Sequence, residues 1–169
     1  MRDSIFNKIN TQKGQIAVLI DPEKSLDAGY LNELVKKAEF AKVDYFFVGG
    51  STVTHTQFED CIRILKSLTN IPIVIFPGAS HQISKYADAI LFLSLISGRN
   101  PDFLIGHQVQ AASELHEMDI EIIPTGYILV DGGRKTSVQY VSQTNPIPQD
   151  QYTIARNTAI AGSMMGNNV

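Results

Sequence analysis

Apolar residues along this chain gather into five short runs, and each run ends in a cluster of small or polar residues. Residues 16–20 lead into Asp21-Pro22-Glu23-Lys24, and residues 45–48 lead into Gly49-Gly50-Ser51-Thr52. Residues 71–76 lead into Pro77-Gly78-Ala79-Ser80, residues 89–95 into Ile96-Ser97-Gly98-Arg99-Asn100, and residues 121–123 into Pro124-Thr125-Gly126-Tyr127. Runs this apolar, with no alternation, predict strands buried on both faces, hence parallel strands under helices. Ligands of such sheets bind beyond the carboxyl ends of the strands. The residues after each run are therefore the candidate site.

Between the runs the spacing turns helical. Residues 1–15 are polar and predict a helix or arm packed under the sheet. Ser25-Leu26-Asp27 offers a cap for a helix over residues 27–41 carrying Leu31, Leu34, Val35, Ala38 and Phe40. A second helix spans 56–68, a short helical turn 82–86, and Pro101 suits the first turn of a helix bearing Leu104, Ile105, Val109, Ala112 and Leu115. A strand from Glu121 resumes over 127–130, and residues 131–148 form an irregular excursion rich in Gly, Ser, Thr, Asn and Pro. Asp150 caps a last helix that runs to Met165 and stops at Gly166. Strands alternating with helices require an α/β fold with right-handed crossovers. No repeat or linker divides residues 1–169, so one domain is expected. The pattern allows a small doubly wound sheet or five-eighths of a barrel, and periodicity does not choose between them.

Composition narrows the class. A chain of 169 residues with 44% hydrophobic and 18% charged residues is long enough for a core. The formal charge of -3 and the lack of a basic patch disfavour a nucleic-acid partner. No run approaches the roughly 18 apolar residues of a membrane span, and the N-terminus lacks an apolar signal core. The single cysteine, Cys61, fits a reducing cytoplasm. Its place in Phe58-x3-Ile62-x2-Leu65 marks it as a small core residue rather than a nucleophile.

Asp21 is the sharpest chemical candidate. A carboxylate at the end of a central strand is costly unless solvated or paired. Held at a sheet mouth it can bind magnesium, which takes one or two protein carboxylates and fills its octahedron with water and phosphate oxygens. The plainer account is an Asp-Pro turn. Gly49-Gly50-Ser51-Thr52 can bring backbone N–H groups to an anion and a hydroxyl to a metal, or can be an ordinary β–α turn. Because neighbouring parallel strands present their ends side by side, Asp21 and Ser51 can share one cation. Arg99 can pair with phosphate or cap a surface. His81 and His107 lack metal-ligand spacing, and Asp131-Gly132-Gly133-Arg134 resembles a hairpin turn. The chain has no P-loop, dinucleotide fingerprint, nucleophile elbow or zinc spacing, which disfavours hydride transfer and triad hydrolysis. No lysine lies inside the five runs, which argues against a Schiff-base aldolase.

Taken in order, Val18-Leu19-Ile20-Asp21-Pro22-Glu23-Lys24, Val48-Gly49-Gly50-Ser51, Phe76-Pro77-Gly78, residues 87–95, Arg99-Asn100-Pro101 and Ile123-Pro124-Thr125-Gly126-Tyr127 closely resemble the geranylgeranylglyceryl phosphate synthase family, which includes bacterial heptaprenylglyceryl phosphate synthases. The resemblance covers roughly residues 10–166. It implies a TIM-type (β/α)8 barrel, here about five β/α units. It implies transfer of an isoprenoid chain from its diphosphate, geranylgeranyl diphosphate, to the 3-hydroxyl of sn-glycerol 1-phosphate in phospholipid biosynthesis. Mg2+ serves the diphosphate, with Asp21 and Ser51 as ligands. Gly49, Gly50, Pro77, Gly78 and Gly126 fall where substrate is bound, and Tyr127 lies on a loop that lines the site. Leu19 stands where one subclass has lysine, which points to the archaeal-like subclass.

The family pattern continues past this chain into a strand bearing Tyr-Leu-Glu-Ala-Gly-Ser-Gly, with the proposed catalytic glutamate, and into further phosphate loops. On that comparison strands six to eight are absent. The expectation is a fragment or truncated product that shows no prenyl transfer alone and self-associates as a homo-oligomer through exposed strand edges. The competing readings are a non-catalytic fragment and another phosphate-binding barrel enzyme. A cytoplasmic protein, peripheral to the membrane at most through its lipid product, is the expected setting.

Overall fold

The computed structural model describes residues 4–24 and 27–169. Five strands, β1 (Ala17–Ile20), β2 (Tyr45–Val48), β3 (Ile73–Ile75), β4 (Ala89–Ser94) and β5 (Glu121–Gly126), form one sheet in sequential order. The pairs β1–β2, β2–β3 and β3–β4 are parallel. Glu121 N–H donates to Asp88 C=O and Tyr127 N–H to Ser94 C=O at one constant offset, which is the parallel pattern for β4–β5 as well. The sequential order expected from the alternating runs holds, and a doubly wound sheet, whose order reverses at a switch point, is ruled out.

By compactness the chain divides into a first unit, Met1–Leu91 with Glu114–Ile122, and a second, Phe92–Ser113 with Ile123–Val169. In the first unit the strand register lines up Ile20, Val48, Ile75 and Ile90 in one row, each at most 2% exposed. Two longer helices of this unit bury apolar stripes. In α2 (Ala28–Phe40) the buried side chains are Leu31, Val35 and Ala38; in α3 (His55–Leu68) they are Phe58, Cys61, Ile62 and Leu65. Both stripes follow the helical period. Asp27 caps α2 by accepting from the Gly29 and Tyr30 N–H groups. Ser25 and Leu26, the other two members of the expected cap, lie outside the described residues. Thr54 and Gln57 form a reciprocal capping box on α3.

Three expectations for this unit change. β1 is not buried on both faces: Leu19 is 59% exposed, because among the described residues β1 has β2 as its one neighbour. Phe40 leaves the apolar stripe and is exposed, since the helix ends at Ala41 and Val43 takes the buried position. Residues 82–84 are irregular and only 85–86 form a turn, in place of the expected helical turn, because the Gln82 side chain is drawn back to the strand ends.

The polar N-terminal segment contains α1 (Ile5–Thr11), tied to the amino ends of the strands. Glu121, the first residue of β5, accepts from Ser4 Oγ, from Ile5 N–H at 2.7 Å and from Phe6 N–H at 3.0 Å. A carboxylate on the unpaired amides of a helix start satisfies donors and opposes the helix dipole. Lys8 Nζ lies 3.6 Å from Asp44 at the entry to β2.

In the second unit Pro101 opens a π-helical turn, Asp102–Gly106, before α4 (His107–Glu117), whose residues from Glu114 on belong to the first unit. His107 N–H reaches Asp102 C=O, an i to i+5 bond that adds a residue to the turn. The added residue rotates the helix face. Ile105, Val109 and Ala112, expected inside, are exposed, and Gln108 and Ala111 are buried in their place, while Leu115 is buried as expected. The expected strand over 127–130 reduces to one bridge, Val130 to Ile147, and the excursion after it contains α5 (Ser137–Ser142), capped by Thr136. The last helix, α6 (Tyr152–Met164), starts after Gln151 with no side-chain cap, not at Asp150. Gly166, with φ +94°, ends it as expected. The following residues run beside β5: Asn168 N–H donates to Pro124 C=O, and Gly126 N–H to Val169 C=O.

Removing the Glu121 carboxylate by Glu121→Ala leaves several donors at the start of α1 unpaired. Hydrogen bonds to charged groups contribute about 1.5–3 kcal/mol. Denaturant unfolding should show a loss near that size, and amides of residues 5–11 should exchange faster. Unchanged exchange there would show that Glu121 does not anchor α1.

Candidate functional site

The carboxyl ends of β1, β2 and β3 meet through backbone atoms. Gly49 N–H closes the ladder to Ile20 C=O at 3.2 Å, and Phe76 N–H donates to Val48 C=O at 2.9 Å. A Cβ on Gly49 would collide with the Phe76 carbonyl. A Cβ on Gly50 would stand 2.9 Å from Asp21 Oδ1 and would also meet Val53. A Cβ on Gly78 would collide with the Gly50 carbonyl and stand 3.1 Å from Ser51 Cα. None of the three has φ in the left-handed region. The requirement is close approach, not backbone freedom. Asp21, Gly49, Gly50, Ser51, Pro77 and Gly78, all singled out from sequence, thus belong to one cluster of loops in the first unit.

Within the cluster Asp21 Oδ1 accepts from Glu23 N–H at 3.2 Å, a local turn that starts the Pro22–Lys24 3-10 segment. The turn sets the direction of the carboxylate, and its Oδ1 rests against the Gly50 backbone. Asp21 and Ser51 are both half-buried. A carboxylate and a hydroxyl from adjacent loops are hard-oxygen donors of the kind magnesium takes, alongside water and phosphate oxygens. Among the described residues no three His, Cys, Asp or Glu gather as a metal cage. Two of the amides have fixed uses. Gly49 N–H is in the ladder, and Gly78 N–H donates to Gln82 Oε1 at 2.9 Å.

Gln82 escapes a reading of the sequence. It is fully buried, and its Nε2 donates to Gly50 C=O at 2.7 Å. His81, without metal-ligand spacing in the sequence, is exposed, and one ring nitrogen lies 3.0 Å from Val53 C=O. His55 Nδ1 in turn lies 3.0 Å from His81 C=O. A ring nitrogen facing a carbonyl carries the proton and donates. The available signal was an amide among small residues just after the third run, next to apolar Ile83. Its burial depends on how the loop folds back.

Gly126, Tyr127 and Arg99 belong to the second unit. Gly126 packs beneath Ile96 and Asn167: a Cβ there would stand 2.9 Å from Ile96 Cδ1 and 3.4 Å from Asn167 Cβ. The Tyr127 backbone is fixed by its bond to Ser94 C=O, and burial raises the pKa of its phenol. Arg99 Nη1 donates to Gly98 C=O at 2.6 Å, which ties the guanidinium to its own loop. His107 stacks edge-on against Phe103 at 4.8 Å between ring centres.

The PcrB family model matches residues 7–168. Geranylgeranylglyceryl phosphate synthase of Chitinophaga pinensis is 46% identical over 173 residues, with 100% of this chain and 68% of the relative covered. The synthase of the same name from Zunongwangia profunda is 47% identical over 167 residues, covering 99% and 70%. Among solved structures, the (S)-3-O-geranylgeranylglyceryl phosphate synthase of Thermoplasma acidophilum, in complex with its substrate sn-glycerol-1-phosphate, superposes with a TM-score of 0.88 at 33% identity. That match covers 97% of this chain and 67% of the Thermoplasma chain. The chain thus spans about two thirds of the length of these relatives.

Cys61 lies in the buried stripe of α3, and its thiol is pushed up to about 12 by burial and then by the Asp21 charge. The native thiol is therefore neutral and unreactive at physiological pH. Because the folded value is raised, the unfolded chain loses its proton first. The thiol's contribution to stability is present below the ordinary value of 9.0 and is lost as pH rises from there towards about 12. A thiol reagent at pH 8 should label Cys61 only under denaturing conditions; rapid labelling of the folded chain would contradict this placement.

Proposed function

This chain belongs to the PcrB family, and from that premise we propose that it forms the ether bond between an isoprenoid diphosphate and the 3-hydroxyl of sn-glycerol 1-phosphate. The motif resemblance to geranylgeranylglyceryl phosphate synthases is borne out, and so is a TIM-barrel type of α/β fold. A transferase of prenyl groups, acting in lipid biosynthesis, is the function its relatives support. The observation that carries the reading is the Asp21 carboxylate resting on Gly50, beside Ser51, at the carboxyl ends of β1 and β2.

Asp21 and Ser51 would hold Mg2+ in this reading: both are hard-oxygen donors of the kind magnesium takes, and the approach of the carboxylate to the Gly50–Ser51 turn depends on the missing Gly50 Cβ. Bound magnesium supplies neutralisation of the diphosphate as it leaves. The chain's own part is positional. Gly49 and Gly78 let the loops close, so that the hydroxyl and carboxylate keep their separation. Preorganised groups aimed at developing charge need no rearrangement during reaction. The Tyr127 phenol, with its pKa raised by burial, stays protonated at neutral pH and serves as a hydrogen-bond donor rather than a base. The step balances: the allylic carbon–oxygen bond breaks with its electron pair on the diphosphate, the glycerol oxygen forms the ether bond to that carbon, and its proton passes to water or the released diphosphate.

The setting is part of the same proposal. No helix among the described residues is long and apolar enough to cross a membrane. The lone reduced thiol fits a cytoplasm. Self-association is supported by exposed apolar side chains at the entry to β1, Ile16, and within it, Leu19.

The test joins this chain in frame to the remaining third of the Chitinophaga pinensis relative. With magnesium, sn-glycerol 1-phosphate and radiolabelled geranylgeranyl diphosphate, labelled ether should accumulate. Asp21→Ala should lower the rate about a hundredfold or more, consistent with the several kcal/mol of charge stabilisation a metal provides. Melting temperature should hardly move. An Asp21→Ala protein that turns over at the unaltered rate would sink the assignment.

A further inference from the structure

We propose that Gln82 is a positioning residue for the magnesium–diphosphate site, an inference that rests on the assignment of Asp21 and Ser51 above. Gln82 is fully buried, and both ends of its amide are engaged: Nε2 donates to Gly50 C=O at 2.7 Å and Oε1 accepts from Gly78 N–H at 2.9 Å. A buried amide is tolerated only when so paired. Both bonds end beside Ser51. One fixes the carbonyl of the peptide that leads into Ser51, and the other holds the glycine whose missing Cβ lets that loop lie against Ser51 Cα.

The geometry transmits orientation. No peptide bond among the described residues is cis, so turning the Gly50 carbonyl towards Gln82 turns the Ser51 N–H to the opposite side. Without Gln82 the Gly50–Ser51 peptide has no buried partner to hold its plane, and the Ser51 amide and hydroxyl lose their fixed direction. The same peptide backs the Asp21 carboxylate, since Gly50 lies against Oδ1. One side chain from the loop after β3 therefore sets the donor from the loop after β2 and the surface supporting the donor from the loop after β1. Outer partners of this kind orient metal ligands without touching the metal.

The experiment measures binding of magnesium with inorganic diphosphate to the 169-residue chain by titration calorimetry. Gln82→Leu, similar in size and without hydrogen bonds, should bind about 10- to 100-fold more weakly, as loss of an outer-shell partner does. Gln82→Met, also without hydrogen bonds to offer, should lose affinity to a similar extent. Glu121→Gln, which disturbs the anchor of α1 at the other end of the strands, should bind like the unaltered chain. Undiminished affinity in folded Gln82→Leu would overturn the inference, as would an equal loss in Glu121→Gln. Should Gln82→Leu not fold, undiminished affinity in Gln82→Met overturns it. An unaltered chain that binds no magnesium–diphosphate overturns the assignment of Asp21 and Ser51 itself.

Discussion

Three loops at the carboxyl ends of β1, β2 and β3 lie at backbone contact distance, and that closeness depends on the missing Cβ atoms of Gly49, Gly50 and Gly78. A side chain at any of the three would meet backbone or the Asp21 carboxylate. Everything proposed for the site follows from this contact. It places a carboxylate beside a hydroxyl-bearing turn, and it does so with little side-chain freedom to reorder when a ligand arrives.

The sheet explains why the contact is there. A parallel register aligns Ile20, Val48 and Ile75 across neighbouring strands, so the residues that follow each must leave the sheet at one level. Asp21, Gly49 and Phe76 are those residues. The helix-side row is sealed by apolar side chains and the amino ends are tied through Glu121 and Asp44 to α1. Stability and the proposed chemistry are thus separated along the strands: amino ends anchor, and carboxyl ends carry the proposed site.

Much of this was legible in the sequence because it is local. Unbroken apolar runs give strands, and an acidic or glycine-rich stop after each gives the site candidates. Asp21, Gly50 and Ser51 were found that way, and the cluster brings them together. The misses have non-local or geometric causes. Gln82 reads as loop because its partners, Gly50 and Gly78, are set by tertiary folding. Ile105 and Val109 read as core because a helical wheel assumes 3.6 residues per turn, which the π turn after Pro101 breaks. Leu19 reads as buried because composition cannot tell an inner strand from an end strand.

The central claim is that Asp21 and Ser51 share one divalent cation. Replacing magnesium with paramagnetic manganese in the presence of inorganic diphosphate tests it directly through backbone amide relaxation. The account predicts the strongest broadening at Asp21, Gly50 and Ser51 and little at Glu121 and α1. Uniform broadening, or broadening centred elsewhere, would contradict it.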